Sequence, residues 1–503
     1  MNNTLKELAK IFYDNGSSLY IVGGFVRDSY LGIKNSDNII DLCSPLRPEK
    51  TIEILSKTKF KVDYLNFELG VLVIYGENRY EFSTFRREIY SSSNSAPSVE
   101  FITDIREDAE RRDFKINAIY YDIINDKYVD PLGGIFDLDN RIITTVKIPR
   151  VAFSIDPERI LRLIRFAASL NFSISDDTLA VAKLNAESIE YLSRGKIRKE
   201  FLKMLYVDEI YPELESSKTA HYEAMRMLKE FNILGSLFPL LNDSFDNENL
   251  MNKFKNSSKD ARLAILFFDK LNKELKKHAK EKNSTFDKEK FIDDLIEENL
   301  GKEKLNFDEE DKKLIKKIIF GYFFKKTIYV LDEDVRKFIF DNYDCIDGII
   351  ELKKLYKPSK EKPKEKEKNK KLIKLIKKTK SKMEEEKVVF DYNLLNINGK
   401  DLIRNFPKIK LELLNEFMFA IAEKLAQHEN MENNEENIIA MGKKVLSERK
   451  EYFCENEIET ATYKTDGKVK VFIRTATKKT NNFLKSFGRK VKCIFIAIFG
   501  KKK

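Results

Sequence analysis

The sequence predicts an α+β head followed by an all-α remainder, and two observations carry that prediction. Residues 18–145 alternate short β-rich runs with turns. From about Asp156 onward the apolar residues fall at helical spacing, as in Ile160, Leu161, Ile164, Ala167 and Ala168, and strand signals nearly vanish.

The β-rich runs are Leu19–Val22, Val71–Tyr75, Arg79–Thr84, Ala118–Tyr121 and Ile142–Val146, with turns at Asn35–Asp37 and Leu132–Gly134. Beyond the first helical region, a Lys/Glu-rich segment at 353–387 contains Pro358 and Pro363 and reads as a linker or insert, partly helical around Lys371–Lys380. Helical patterning resumes at about Asp401–Leu446, and 450–503 form a separate basic extension. No period of about 20–50 residues suggests a solenoid.

Composition narrows the class. The chain has 503 residues and is 42% hydrophobic, enough for several packed cores, and its 92 Lys+Arg against 82 Asp+Glu give a net charge of +10. That charge is local: 353–387 hold 16 Lys and 6 Glu, 461–503 hold 13 Lys/Arg and 1 Asp, and the rest is net acidic. The N-terminal MNNTLKELAKIFYDNG lacks the apolar core of a secretory signal, which predicts a cytoplasmic protein. Cys493–Phe499 is too short to span a bilayer. Cys43, Cys345, Cys454 and Cys493 are scattered, and His221, His278 and His428 stand isolated, which argues against a disulfide scaffold, a zinc site or a phosphohydrolase motif.

The first segment with chemical content is Ser18–Gly32, a strand running into Gly23-Gly24 and a short helix that carries Arg27. Paired glycines let backbone amides approach an anionic ligand, although glycine there also serves turn geometry alone. Three further segments follow in a recognisable order. They are Glu81-Phe82-Ser83-Thr84-Phe85-Arg86, then Asp108 through Ala118 with Arg111-Arg112-Asp113-Phe114, then Asp130-Pro131-Leu132-Gly133-Gly134. The series ends at Asp156-Pro157-Glu158-Arg159 and the helix beyond it. Together these motifs resemble the class II CCA-adding enzyme and bacterial poly(A) polymerase family, template-independent nucleotidyltransferases of the polymerase-β superfamily.

The resemblance implies a polymerase-β type α+β head at 1–147, a helical neck at 148–210 that recognises the base and a helical body at 211–352 that binds RNA. The 353–387 linker, a helical tail region at 388–449 and the 450–503 extension follow. It implies transfer of CMP and/or AMP from CTP or ATP to an RNA 3′ end, most plausibly in tRNA CCA maturation, with poly(A) synthesis as an alternative. Nucleotide-binding residues would be Gly23, Gly24, Arg27, Arg112, Asp113, Asn117, Asp156, Arg159 and Arg162. Asp156 and Arg159 match the base-recognition pair of the family, and an i,i+3 pair shares one helical face. Asp156 before Pro157 is equally an ordinary N-cap.

Two Mg²⁺ ions need carboxylates, which the family supplies as Asp-x-Asp plus a third acid. Glu81 fits the third position, but Asp37 and Asp41 are separated by an apparent two-residue insertion. On a regular strand i and i+4 lie about 13 Å apart. The candidate catalytic and metal residues are therefore Asp41, Glu81 and Asp37. Ile155 in place of a Glu, Lys115 in place of a Thr, and Gly195-Lys196-Ile197-Arg198 in place of Glu-Arg-Ile-Arg are further departures. They keep open a catalytically impaired relative that binds RNA or nucleotide. The aromatic residues Tyr452, Phe453, Tyr463, Phe472, Phe483 and Phe487 leave room for the basic tail to touch RNA, with an anionic surface as the weaker alternative.

Overall fold

The computed structural model describes residues 3–34, 40–89, 98–238, 245–278, 286–324, 332–356, 363–397, 399–449 and 452, and the strands 458–465 and 468–475. The chain divides into two compact units, Met1–Lys316 and Lys317–Lys503.

The first unit begins with a sheet. Its strands are β1 (Tyr20–Val22), β2 (Ile40–Ser44), β3 (Lys61–Asn66), β4 (Val71–Tyr75) and β5 (Arg79–Thr84), then, past the separate hairpin β6 (Arg86–Ile89) and β7 (Ser98–Phe101), β8 (Tyr120–Asp122) and β9 (Lys127–Val129). The spatial order is β3-β4-β5-β2-β1-β8-β9. Every neighbour pair is antiparallel except β2 and β5, which run parallel. The β4 and β5 boundaries coincide with the predicted runs, whereas Ile142–Val146 shrinks to β10 (Ile142–Ile143), paired parallel with β11 (Ser173–Ile174).

One sheet face is core. Leu42, Leu72, Ile74, Tyr80 and Phe82 are buried, and Phe12 of the helix Asn3–Asp14 packs on Phe82 with ring centroids 5.7 Å apart. Alternation along β5 turns Glu81 to the opposite side from Phe82. On that side Val22, Cys43, Phe85, Ala109, Ala118 and Tyr120 form a second cluster. From Pro149 the unit is mainly helical, led by Pro149–Ile155, Glu158–Leu170 and Arg194–Leu205. The buried face of Glu158–Leu170 includes Ile160, Leu161, Leu163 and Ile164.

In the second unit the segment 353–387, read as a linker or insert that is partly helical, is more helical than that reading. A single helix, Pro363–Glu385, fills most of that segment, and Leu372, Ile376, Thr379 and Met383 are buried. A stripe of four such residues packs the segment against its unit, extending the helix expected around Lys371–Lys380 in both directions. The basic extension contains an antiparallel hairpin of β12 (Ile458–Thr465) and β13 (Lys468–Thr475). No described helix is long and apolar enough to cross a membrane.

Candidate active site

Gly23 ends β1 and caps the helix Gly24–Tyr30 at φ 80°, ψ −141°, a conformation open essentially to glycine. The tight exit brings its backbone against β2: a Cβ on Gly23 would stand 3.4 Å from Asp41 Oδ2. Asp41 in turn pairs in register with Glu81 on the parallel neighbour β5, so both carboxylates leave the same side of the sheet. Burial, and secondly Glu81, push the Asp41 carboxyl up to about 6 against the pull of Arg112 and Arg162. Glu81 accepts from Arg79 at 2.9 Å. Asp37 and the loop Ser91–Pro97 lie outside the described residues. Among the described residues no cluster of three or more His, Cys, Asp or Glu forms a metal-binding group.

Asp41 opens onto a cavity of about 510 Å³ that is also lined by all nine predicted nucleotide-binding residues. Seven arginine and lysine side chains face five carboxylates around it. A smaller cavity of about 160 Å³ shares Asp41, Arg111 and Arg112 with the first and adds Glu81 and Arg86.

These residues divide into a frame and a lining. In the frame, buried Arg27 donates from Nε to Asp28 at 2.8 Å, from Nη1 to Asn117 at 2.8 Å and from Nη2 to the Tyr211 hydroxyl at 2.8 Å, and stacks 5.0 Å over Phe166. Asp113 accepts at Oδ1 from the Phe114 amide and Asn117, and at Oδ2 from Arg162 Nε at 2.8 Å and Nη2 at 2.6 Å. Arg162 leads the causes that hold the Asp113 carboxyl down at about 2 despite burial. Asp108, fully buried, receives Arg111, Arg112, the Tyr120 hydroxyl and the Arg86 amide, and its carboxyl too is held at about 2.

The lining keeps capacity for a ligand. Arg159 donates from Nη2 to the Arg111 carbonyl at 2.9 Å, while its buried Nη1 has no hydrogen-bond partner among the described residues. Asp156 corrects the helical-face expectation. It is the extended residue between two helices, φ −142° and ψ 93°, with Oδ1 accepting from the Glu158 amide and Oδ2 3.8 Å from Arg159 Nε. The capping account of Asp156 is thus visible, and the pair still meets at the cavity wall.

Sequence reasoning left several lining residues unassigned. Arg111 stood inside a quoted motif, and Arg165 follows Arg162 at i+3, so local signals existed. Tyr211 had none, because it reaches Arg27 across 184 positions. Lys196, one of the noted departures, pairs at 3.0 Å with the cavity residue Glu158. His221 lies in the core, Nε2 2.9 Å from the Phe254 carbonyl.

Residues 19–144 match the family described as the poly A polymerase head domain. The chain is 32% identical over 231 residues to a CCA-adding enzyme of Staphylococcus epidermidis, covering 46% of this chain and 54% of the relative. Identity is 38% over 192 residues to one of Streptococcus gordonii, covering 38% and 46%. The chain thus spans about half the length of the curated relatives it matches. Its fold is similar to that of the Bacillus stearothermophilus CCA-adding enzyme in complex with CTP, with TM-score 0.51, 20% identity and coverage of 89% of this chain and 98% of that one. Nucleotidyltransferases of this family generally depend on divalent metal ions. Fold, motif order and identity agree: residues 19–144 match the poly A polymerase head domain, and the chain is similar over that part and the helices just beyond it to CCA-adding enzymes.

Proposed function

We propose that this protein is a template-independent RNA nucleotidyltransferase that transfers CMP and/or AMP from CTP or ATP to the 3′ end of tRNA, in the cytoplasm. One observation carries the reading: a single cavity gathers the nine motif residues around a wall formed by Asp41, itself in register with Glu81.

The donor set suits divalent cations. Asp41 and Glu81 are hard oxygen ligands on one side of the sheet, and a buried carboxylate beside a second one is the arrangement that a hard cation relieves. They would hold Mg²⁺, with Asp37 as the expected third ligand. Such ions would supply activation of the RNA 3′ hydroxyl and neutralisation of the triphosphate.

The chain's own residues do the rest. Arg111 and Arg112, aimed by Asp108, offer fork-shaped donors suited to triphosphate oxygens. Arg162, held by Asp113, presents its remaining donor edge to the cavity. The unpartnered Arg159 Nη1 and the Asp156 carboxylate together offer a donor and an acceptor to one base edge. Arg27, Asn117 and Asp113 act through the frame that sets these directions.

The test is incorporation of labelled CTP and ATP into tRNA ending at each stage of CCA, with Mg²⁺, for the wild type, Asp41→Ala and Glu81→Ala. Incorporation lost in both variants supports the reading. Absence of incorporation by the wild type with any divalent metal sinks it in favour of the non-catalytic relative.

A further inference from the structure

The helix Pro363–Glu385 sorts its residues by face. Leu372, Ile376, Thr379 and Met383 are buried, the stripe that a packed helix presents to its unit. Between 368 and 382 the chain has eight Lys and no Asp or Glu. These lysines are not equivalent. Lys380 is held by Asp347 at 2.6 Å and Lys382 by Glu429 at 2.5 Å. Lys370, Lys374, Lys377 and Lys378 are exposed, and none of them forms an ion pair within 4 Å among the described residues; Glu367 and Glu429, the carboxylates that Lys370 and Lys378 pull on at longer range, are paired with Lys371 and Lys382.

A merely solvated helix face gains from Glu placed four residues from Lys and loses from like charges at that spacing. Here 370, 374 and 378 place three lysines at consecutive i,i+4 steps, about 6 Å apart along the axis at about 1.5 Å rise per residue. Lys377 also stands against Lys354 of the helix Ile346–Leu355, where burial and then Lys377 push the Lys354 ammonium down. Because the apolar stripe is buried, the row of cations is fixed in direction.

We propose that this lysine face docks the sugar-phosphate backbone of RNA, a polyanion with regularly spaced charges. The identification of that RNA as the tRNA substrate rests on the nucleotidyltransferase reading above. A lipid surface fits less well. A membrane-lying helix gives its apolar side to the bilayer, and here that side is already packed in protein.

The experiment titrates full-length protein with a tRNA transcript lacking CCA between about 50 and 200 mM salt. It compares the wild type with K370Q/K374Q/K377Q/K378Q and with a control of equal charge loss, K6Q/K57Q/K61Q/K127Q. Four phosphate contacts at about 0.7–0.9 each lower the log–log salt slope by about three, so the variant's Kd changes roughly 50–100-fold less over that range, and the control retains the wild-type slope. Nucleotide incorporation is read separately on the same preparations. A protein that incorporates nothing yet shows the slope change retains the docking surface and loses the enzymatic reading. An unchanged slope overturns the proposal, as does a loss seen only with vesicles of anionic phospholipid.

Discussion

Asp41 and Glu81 face each other in register across the only parallel strand pair of the seven-stranded sheet. Their proximity has a cost without cations, since burial and Glu81 raise the Asp41 carboxyl to about 6. A carboxyl whose folded-state value is raised contributes stability below its unfolded value that is lost as pH rises through the folded one. Asp41→Asn should therefore lower kcat by at least ~10²-fold, as expected from several kcal/mol of lost charge stabilisation. It should also raise the metal-free stability at pH 7 by on the order of 2–3 kcal/mol. Activity and melting measurements moving in the same direction would contradict this.

Gly23 and Gly24 are adjacent but not interchangeable. A Cβ would make ordinary contact at either position, 3.4 Å from Asp41 Oδ2 at Gly23 and 3.6 Å from Arg27 Nη2 at Gly24, but only Gly23 sits at φ 80°, a backbone conformation strained for any side chain. Gly23→Ala should cost about 1–3 kcal/mol and impair activity. Gly24→Ala should leave the melting temperature within a few degrees of wild type. Equal effects in thermal denaturation would refute the backbone argument.

Arg27 and Arg159 should fail differently. Removing Arg27 leaves Asp28 buried without its cation and takes a donor from Asn117 and from the Tyr211 hydroxyl, so Arg27→Met should destabilise the fold by about 3–5 kcal/mol. Arg159→Lys keeps a charge but loses the fork and its free Nη1. It should raise KM for the nucleotide about tenfold or more with little change in melting, a split visible in steady-state kinetics.

His221 supplies a pH signature remote from the cavity. Burial, and then Arg262, lower its imidazole to about 4, and Nδ1 has no partner among the described residues. The unfolded chain therefore binds a proton that the folded chain refuses between pH ~6.5 and about 4. Stability is present above that window and lost as pH falls through it, by on the order of 3 kcal/mol. A His221→Asn variant should lose this part of the acid sensitivity in denaturant titrations at pH 7 and pH 4.5.

The head was legible where its signals were local. β-rich runs marked β4 and β5 to the residue, and the motif arginines announced a polar cavity. β2 passed unmarked because its short run Ile40–Ser44 interrupts its apolar residues with Asp41. Asp156 was read as part of a helical face because Pro157 permits either assignment, and the backbone chose the extended one. Frame contacts such as Arg165 to Glu200 at 2.7 Å had no sequence signal, since each partner alone reads as an ordinary surface charge. Of the helix Pro363–Glu385 only the middle, around Lys371–Lys380, was legible; its full length was hidden because the buried stripe is diluted among lysines.

The bond from Arg27 to the Tyr211 hydroxyl also sets an order of assembly. A contact across 184 positions cannot form until the chain has grown through residue 211. A nascent polypeptide that has emerged only through residue 147 has all the strands of the large sheet but lacks the hydroxyl that completes the arginine's coordination. The frame around Arg27 is therefore completed after the sheet, when the second stretch of chain folds back on it.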